Sequence, residues 1–145
     1  MSVKDIGSVN KRLKYIVYSE LLKQKFEIFI NPLEDAGIDC VIRLNDKIYI
    51  DVYIKVRSSM DENWNTFAAM TVMPRENAIY IFYLEKNNSY WVIPSEHLIK
   101  ISKVKHLGRV TFSVPIEEDD SKQISMKYKN SAGFEHLRNM KTKVH

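Results

Sequence analysis

The chain contains little cysteine, proline or glycine: one Cys and four each of Pro and Gly in 145 residues. A single cysteine excludes a disulfide framework and is typical of a reducing compartment. Few Gly and Pro, together with 45% hydrophobic and 11% aromatic residues, exclude a disordered chain. The length predicts one domain, residues 1–145, that is large enough to bury a core.

The chain also lacks a long apolar segment. No run approaches the roughly 20 residues that cross a bilayer, and the charged N-terminal sequence MSVKDIGSVNKRLK has no apolar stretch of the signal-peptide kind. We therefore expect a cytosolic (cytoplasmic) protein with no membrane partner. The formal net charge is only +4, which is compatible with a polyanionic partner but does not by itself indicate one.

Common metal and catalytic motifs are missing as well. The four histidines have no metal-ligand spacing with one another or with Cys40, which argues against structural zinc. The glycines are scattered, so there is no glycine-rich phosphate loop, and Ser95 and Ser131 have no nucleophile-elbow context.

The most regular stretch that is present runs from Ile38 to Arg57, IDCVIRLNDKIYIDVYIKVR, and predicts two strands joined by a turn. Apolar residues alternate with polar ones in both strands, and both apolar rows must reach one core, which sets the register. The predicted pairs, across a three-residue loop Asn45–Lys47, are Leu44 with Ile48, Ile42 with Ile50 and Cys40 with Val52. Cys40 is then a buried, inert thiol.

The opposite face of this hairpin carries polar residues, namely Asp39, Asp51, Tyr53 and Lys55. The register puts Asp39 opposite Tyr53 and diagonal to Asp51, about 7 Å away between Cα atoms. A solvated face of an antiparallel pair has the same composition, so the pattern alone does not decide between a site and an ordinary surface.

Other segments predict further elements around the hairpin. A helix is expected from Ser8, as N-cap, to about Lys25, with an apolar stripe of Val9, Leu13, Ile16, Val17, Leu21 and Leu22. The remaining expectations are a strand at Phe26–Ile30, a strand or helix at Trp64–Met73, a hairpin of Ala78–Leu84 with Tyr90–Ile93, a helical turn capped by Ser95, a strand at Gly108–Val114, an acidic loop at Glu117–Asp120 and a helix within Lys127–Met140 using Phe134 and Leu137.

The order of these pieces resembles the PD-(D/E)XK nuclease superfamily over about Ile6 to Ser102. The residues that carry the resemblance are Pro32, then Gly37-Ile38-Asp39, then Tyr53-Ile54-Lys55. The resemblance implies an α/β, restriction-endonuclease-like fold. In that fold an N-terminal helix packs on a central mixed β-sheet, and a further helix follows at the C-terminus.

The resemblance also implies a site. In such nucleases carboxylates on adjacent strands hold Mg²⁺, which activates a water, while a Lys stabilises developing charge. Asp39 and Lys55 stand at matching positions. Lys14 stands where the first helix of the family carries a Glu, and Tyr53 replaces the strand acid, although a phenol is a poor Mg²⁺ ligand. Asp51 is the local substitute, so the candidate catalytic residues are Asp39, Lys55, Asp51 and Tyr53, with Asp39 and Asp51 as metal ligands.

Basic and aromatic residues outside this set are candidate nucleic-acid contacts: Lys14, Arg57, Trp64, Lys103, Lys105 and Arg109. The expected function is binding of nucleic acid, DNA in preference to RNA, with Mg²⁺-dependent cleavage weak or lost. The alternatives are an active endonuclease that uses Asp39, Asp51 and Lys55, a protein-interaction module on the same fold, and a small α/β domain whose resemblance is accidental. A second copy of the chain, forming a homodimer, is the other partner considered besides nucleic acid.

Overall fold

The first element of the fold is a long N-terminal helix. The computed structural model of the protein describes residues 3–33, 37–72, 74–104, 109–114 and 126–140. Helix α1 spans Val3–Lys23, so Ser8 lies inside it and is not its N-cap. Leu13, Val17 and Leu21 are fully buried as predicted, but Leu22 is 56% exposed and Tyr18 is buried instead. Position 18 belongs to the buried stripe because it lies three residues, about one helical turn, before Leu21, whereas Leu22 falls beside the stripe.

The central sheet is mixed and has five strands in the order β1-β2-β3-β5-β6. The strands of the chain are β1 Glu27–Ile30, β2 Cys40–Asn45, β3 Ile48–Arg57, β4 Thr66–Thr71, β5 Ala78–Leu84, β6 Ser89–Pro94, β7 Lys103–Val104 and β8 Arg109–Ser113. Strands β3 and β5 are parallel, and the other neighbours in this sheet are antiparallel. The predicted α/β architecture, with its helix on a mixed sheet, is confirmed.

The register of the central hairpin is confirmed except at its turn. Cys40 pairs with Val52 and Ile42 with Ile50, but the register then shifts so that Asn45, rather than Leu44, pairs with Ile48. The reason is the side chain of Asn45, whose Oδ1 accepts the backbone N–H groups of Lys47 (2.9 Å) and Ile48 (3.1 Å). This local turn closes the hairpin one residue tighter than the sequence pattern predicts.

A second, smaller sheet, with strand order β4-β8-β7, covers the face of the first sheet that helix α1 does not cover. The segment Trp64–Met73, which the sequence leaves open between strand and helix, is therefore a strand over Thr66–Thr71. Phe67 and Phe112 of this sheet pack on Phe82 of β5, each with ring centroids 4.7 Å from it. Because helix α1 covers the opposite face, every residue of β5 is buried, which explains its unbroken apolar sequence AIYIFYL.

Two helices complete the described part of the chain: α2 spans Ser95–Ile101 and α3 spans Asn130–Arg138. Phe134 and Leu137 of α3 are buried as predicted. Pro94, not Ser95, is the N-cap residue of α2, because Ser95 is already the first helical residue, and its hydroxyl does not cap the helix. It accepts a hydrogen bond from the Arg75 N–H and donates one to the Arg75 carbonyl, both at 2.9 Å.

Cys40 is fully buried, and burial raises the pKa of its thiol to about 12, as expected for an inert cysteine. Within the described ranges, no helix is both long and apolar enough to span a membrane. Lys105 and the acidic segment Glu117–Asp120, both named from the sequence, lie outside the described residues.

Candidate functional site

The candidate site lies where strands β2 and β3 separate. The ladder between them ends at the pair Cys40–Val52, but β3 continues to Arg57, so the outer edge of its second half is left without a strand partner from β2. Asp39, the residue before β2, fills the first place along this edge. Its N–H donates to the Val52 carbonyl (2.9 Å), and its Oδ2 accepts the N–H of Ile54 (2.7 Å). The carboxylate thus continues the pairing in place of a backbone carbonyl.

The other oxygen of Asp39 is bound by a cation from helix α1. Lys14 Nζ lies 2.7 Å from Asp39 Oδ1, and the Asp39 side chain is only 13% exposed. The Tyr18 hydroxyl donates to the Asp39 carbonyl at 3.3 Å, which ties the helix to the same point. Lys14 therefore points toward Asp39, and both oxygens of the Asp39 carboxylate have partners.

Lys55 is the third charged group of this cluster. Burial lowers the pKa of the Lys55 ammonium from its ordinary value, the Asp39 carboxylate opposes this, and the positive charge of Lys14 adds to it. The Asp39 carboxylate thus forms an ion pair with Lys14 and also acts electrostatically on Lys55. The cluster carries a net positive charge in a partly desolvated position, where an anionic ligand is attracted most strongly.

A cleft of about 530 Å³ opens beside this cluster. The residues that line it, here called the cationic cleft, are Asn10 and Lys14 of α1, Ile54, Lys55, Val56 and Arg57 of β3, and Phe67, Met70 and Thr71 of β4. Three of them carry a positive charge, and none of the described residues in its lining carries a carboxylate. The cleft is therefore positive along the open edge of β3.

Arg57 is held in place at one end of the cationic cleft. Its Nε donates to the Thr66 carbonyl at 2.8 Å, and its guanidinium lies 5.1 Å from the centroid of the Phe67 ring. Asp61 approaches one terminal nitrogen at 3.6 Å. The hydrogen bond to β4 uses one of the five guanidinium donors, and Asp61 approaches one terminal nitrogen, so other donors remain for a ligand.

Asp51 and Tyr53 form a separate group around Arg75. The Arg75 guanidinium lies 3.1 Å from Asp51 Oδ2 and donates to the Tyr53 hydroxyl at 2.7 Å. The Tyr53 ring stacks on Tyr80 with centroids 4.8 Å apart. The structure thus brings Asp39 together with Lys14 and Lys55, and Asp51 together with Tyr53 and Arg75. For Asp39 and Asp51 to share one ion, both ion pairs would have to open.

Of the remaining candidate nucleic-acid contacts, Arg109 lies on the strand next to the cleft, and Trp64 is outside the cleft lining. Arg109 is exposed in β8 and pairs with Thr71, so it lies one strand beyond the cleft wall. Lys103 lies in β7, the far strand of the small sheet. Trp64 is partly buried against the core between the two sheets, and the Lys86 ammonium lies 5.0 Å from its ring centroid. It is not part of the cleft lining.

Two residues of the site were not predicted from the sequence. Arg75 follows a proline in a turn, and only the parallel pairing of β5 with β3 brings that turn to Asp51. Asn10 lines the cleft one helical turn before Lys14. The spacing of four residues puts both on one face of α1, so the helix pattern could have identified Asn10 once Lys14 was placed.

Sequence comparison assigns no relative: no family model and no curated protein matches the chain. Two solved structures match its fold. One is a bacterial homing endonuclease, I-Ssp6803I, with a TM-score of 0.61 and 14% identity, covering 94% of this chain and 91% of that one. The other is Hjc of Archaeoglobus fulgidus, a Holliday junction resolvase, with a TM-score of 0.56 and 10% identity, covering 92% of this chain and 98% of that one.

The chain has the restriction-endonuclease-like fold. Both likenesses extend over nearly the whole of either chain, so the fold that the PD-(D/E)XK resemblance implied is confirmed. The resemblance placed the acids of such a site at the positions of Lys14, Asp39 and Tyr53, and here these carry a cation, a carboxylate and a phenol. Among the described residues, no three His, Cys, Asp or Glu side chains are grouped so that they could hold a metal ion.

Proposed function

We propose that this restriction-endonuclease-like chain binds DNA through the cationic cleft and cleaves it weakly or not at all. The observation that carries the proposal is the charge of the cleft. Lys14, Lys55 and Arg57 line it together. At its border, the Asp39 carboxylate is already paired with Lys14, and the Asp61 carboxylate approaches Arg57 at 3.6 Å. Phosphodiester groups are the polyanion that such a row of cations fits, because each contact neutralises a phosphate and releases counterions.

The three cations offer two kinds of phosphate contact. Lys14 and Lys55 present compact ammonium charges, whereas Arg57 presents a planar fork that can bind two phosphate oxygens at once. The Lys55 ammonium is partly desolvated, and the nearby Asp39 carboxylate is already paired with Lys14. A bound phosphate supplies Lys55 with a countercharge and so stabilises its charged form. Binding therefore recovers part of the free energy that burying this charge costs the folded protein.

The donor set does not fit a resident Mg²⁺. Magnesium takes six oxygens in near-octahedral geometry at about 2.1 Å, and carboxylates must compete with its hydration shell. Asp39 offers one carboxylate whose oxygens already accept from Ile54 and Lys14, and the Lys14 ammonium repels a divalent cation. Asp51 is engaged by Arg75 at 3.1 Å. Hydrolysis therefore lacks the ion that would activate a water in such a site.

The fold supports DNA over RNA as the partner. The two similar structures are a homing endonuclease and a Holliday junction resolvase, and the second name itself specifies a DNA structure. Both are under 15% identical to this chain, so they support the ligand class and not a particular reaction.

The first prediction is salt-dependent DNA binding without need of a metal. In fluorescence anisotropy with a labelled duplex and a chelator present, three phosphate contacts give a slope of about −3 in log affinity against log salt concentration. Replacing the chelator by Mg²⁺ leaves the affinity unimproved, and a supercoiled plasmid stays intact.

The opposite outcome is strong Mg²⁺-dependent nicking that disappears in Asp39→Ala and in Lys55→Ala. That result would restore the endonuclease interpretation. If Asp51→Ala then lost the nicking as well, Asp51 would be identified as the second metal ligand, acting after release from Arg75.

A further inference from the structure

A second cavity, of about 290 Å³, adjoins the cationic cleft and shares Asn10 and Lys14 with it. Its walls come from α1 on one side and from the end of β1 and the following segment on the other. We call it the aromatic pocket and define it by Tyr15, Tyr18, Ile30 and Leu33. The ion pair forms part of its wall, because both Lys14 and Asp39 line it.

The apolar wall of this pocket is exposed to an unusual degree. Tyr15 is 53% exposed, Leu33 68% and Ile30 43%, although all are large apolar side chains. Such side chains scattered singly are ordinary on a surface, but several around one concavity mark a binding site. Three of the exposed large apolar side chains thus lie around this single cavity.

Tyr15 is positioned rather than loosely extended. Its ring stands at 88° to the ring of Tyr18, with centroids 5.5 Å apart. Tyr18 is in turn buried and donates its hydroxyl to the Asp39 carbonyl. Asp39 thus binds Tyr18 of the aromatic pocket and also Lys14, which lines both cavities, so it links the two.

The charges around the pocket indicate what it can hold. Lys11 and Lys14 line it, and Asp39, paired with Lys14, is the single carboxylate among the described residues of its lining. An aromatic platform next to a track of cations is the arrangement with which proteins bind single-stranded nucleic acid, since bases stack on the rings while the backbone follows the charges.

We propose that the aromatic pocket receives one unstacked base of a DNA whose phosphates occupy the cationic cleft, so that the preferred ligand is DNA with unpaired nucleotides rather than continuous duplex. The inference rests on the proposed function and adds the ligand class. A volume of about 290 Å³ is large enough to admit one base beside the Tyr15 ring. In a continuous duplex both faces of every base are stacked, so only an unpaired or extruded base can present a face to Tyr15.

The test compares two duplexes of equal length and phosphate number, one of which carries a central run of mismatches containing 2-aminopurine. Anisotropy is expected to show roughly tenfold tighter binding of the mismatched DNA, and the 2-aminopurine fluorescence falls on binding as the base stacks. Tyr15→Ala and Leu33→Ala abolish the preference and the fluorescence change. Tyr49→Ala, at a tyrosine that is 46% exposed on β3 and lines neither cavity, retains both.

The outcomes separate this inference from the proposed function. Equal affinity for both duplexes, or a preference that survives Tyr15→Ala, overturns the assignment of the pocket as a base-binding site. If binding is still salt-dependent in that case, the cationic cleft remains the DNA-binding site. Failure to bind either DNA overturns both. If sedimentation shows a dimer that Tyr15→Ala dissociates without changing the DNA preference, the pocket belongs to a second copy of the chain, and the inference is wrong.

Discussion

Lys14→Glu is expected to lower the DNA affinity by about a hundredfold and to create binding of a divalent ion. The substitution replaces the ammonium that lies 2.7 Å from Asp39 with a carboxylate, so the charge at the cleft changes by two. Each unit of charge is expected to lower the affinity about tenfold, because losing the ammonium removes a phosphate contact and adding the carboxylate repels a phosphate. Two carboxylates at one point are also the oxygen donors that Mg²⁺ and Mn²⁺ take.

Both effects are measured directly, by anisotropy with labelled DNA in the presence of a chelator and by the loss of the free Mn²⁺ electron paramagnetic resonance signal. Lys23→Glu is the matched control, because Lys23 is exposed at the end of the same helix and lines neither cavity. If Lys23→Glu weakens DNA binding as much as Lys14→Glu does, net charge and not the cleft determines the affinity, and the site assignment is wrong.

Lys55→Met is expected to make the protein more stable while it weakens DNA binding about tenfold and reduces the salt slope by about one. Burial lowers the pKa of Lys55, so the folded protein holds this ammonium less favourably than the unfolded chain does. Met fills a similar volume without a charge, which removes this cost. Binding residues that lower stability in this way are typical of sites selected for function.

The pH dependence of this gain has a definite sign. Because the pKa of Lys55 is lowered in the folded state, its cost to stability is fully present below that lowered value. The cost disappears as the pH rises through the lowered value toward the ordinary 10.5. The difference in unfolding free energy between Lys55→Met and the unaltered chain should therefore be largest near neutral pH and shrink in alkaline buffer.

Urea unfolding at several pH values measures this difference. Lys47→Met in the exposed turn of the same hairpin is the control, and we expect it to change neither the stability profile nor the DNA affinity. A Lys55→Met protein that is less stable at neutral pH, or that binds DNA as tightly as the unaltered chain, would contradict the role assigned to Lys55.

The central hairpin shows which structural features a sequence pattern can predict and which it cannot. The alternation of apolar residues in β2 and β3 determines their pairing, because only one register buries both rows. The pattern cannot show that Asn45 closes the turn with its own side chain, since that depends on a choice between local hydrogen bonds. The helical phase buries Leu13 and Val17 as predicted, while Leu22 at the edge of the stripe is misjudged. Lys14, which the family resemblance placed at the site, lies 2.7 Å from Asp39.

The parts of the site that the sequence could not predict depend on contacts between distant segments. Arg75 reaches Asp51 only because β5 lies parallel to β3, and nothing near Arg75 in the sequence signals that pairing. The small sheet is formed by segments such as Thr66–Thr71 that fit neither period clearly. Tyr15 belongs to the wet side of α1 and Leu33 to a loop, so the aromatic pocket exists only after both elements are placed.

The central claim is that Asp39 serves an ion pair with Lys14 in a phosphate-binding cleft and does not serve as a metal ligand. Titration of the unaltered chain with Mn²⁺, followed by electron paramagnetic resonance, tests this claim most directly. The account predicts that the free-ion signal is that of buffer alone, while the same sample binds DNA with a chelator present. Stoichiometric uptake of one Mn²⁺ that Asp39→Asn abolishes would contradict it.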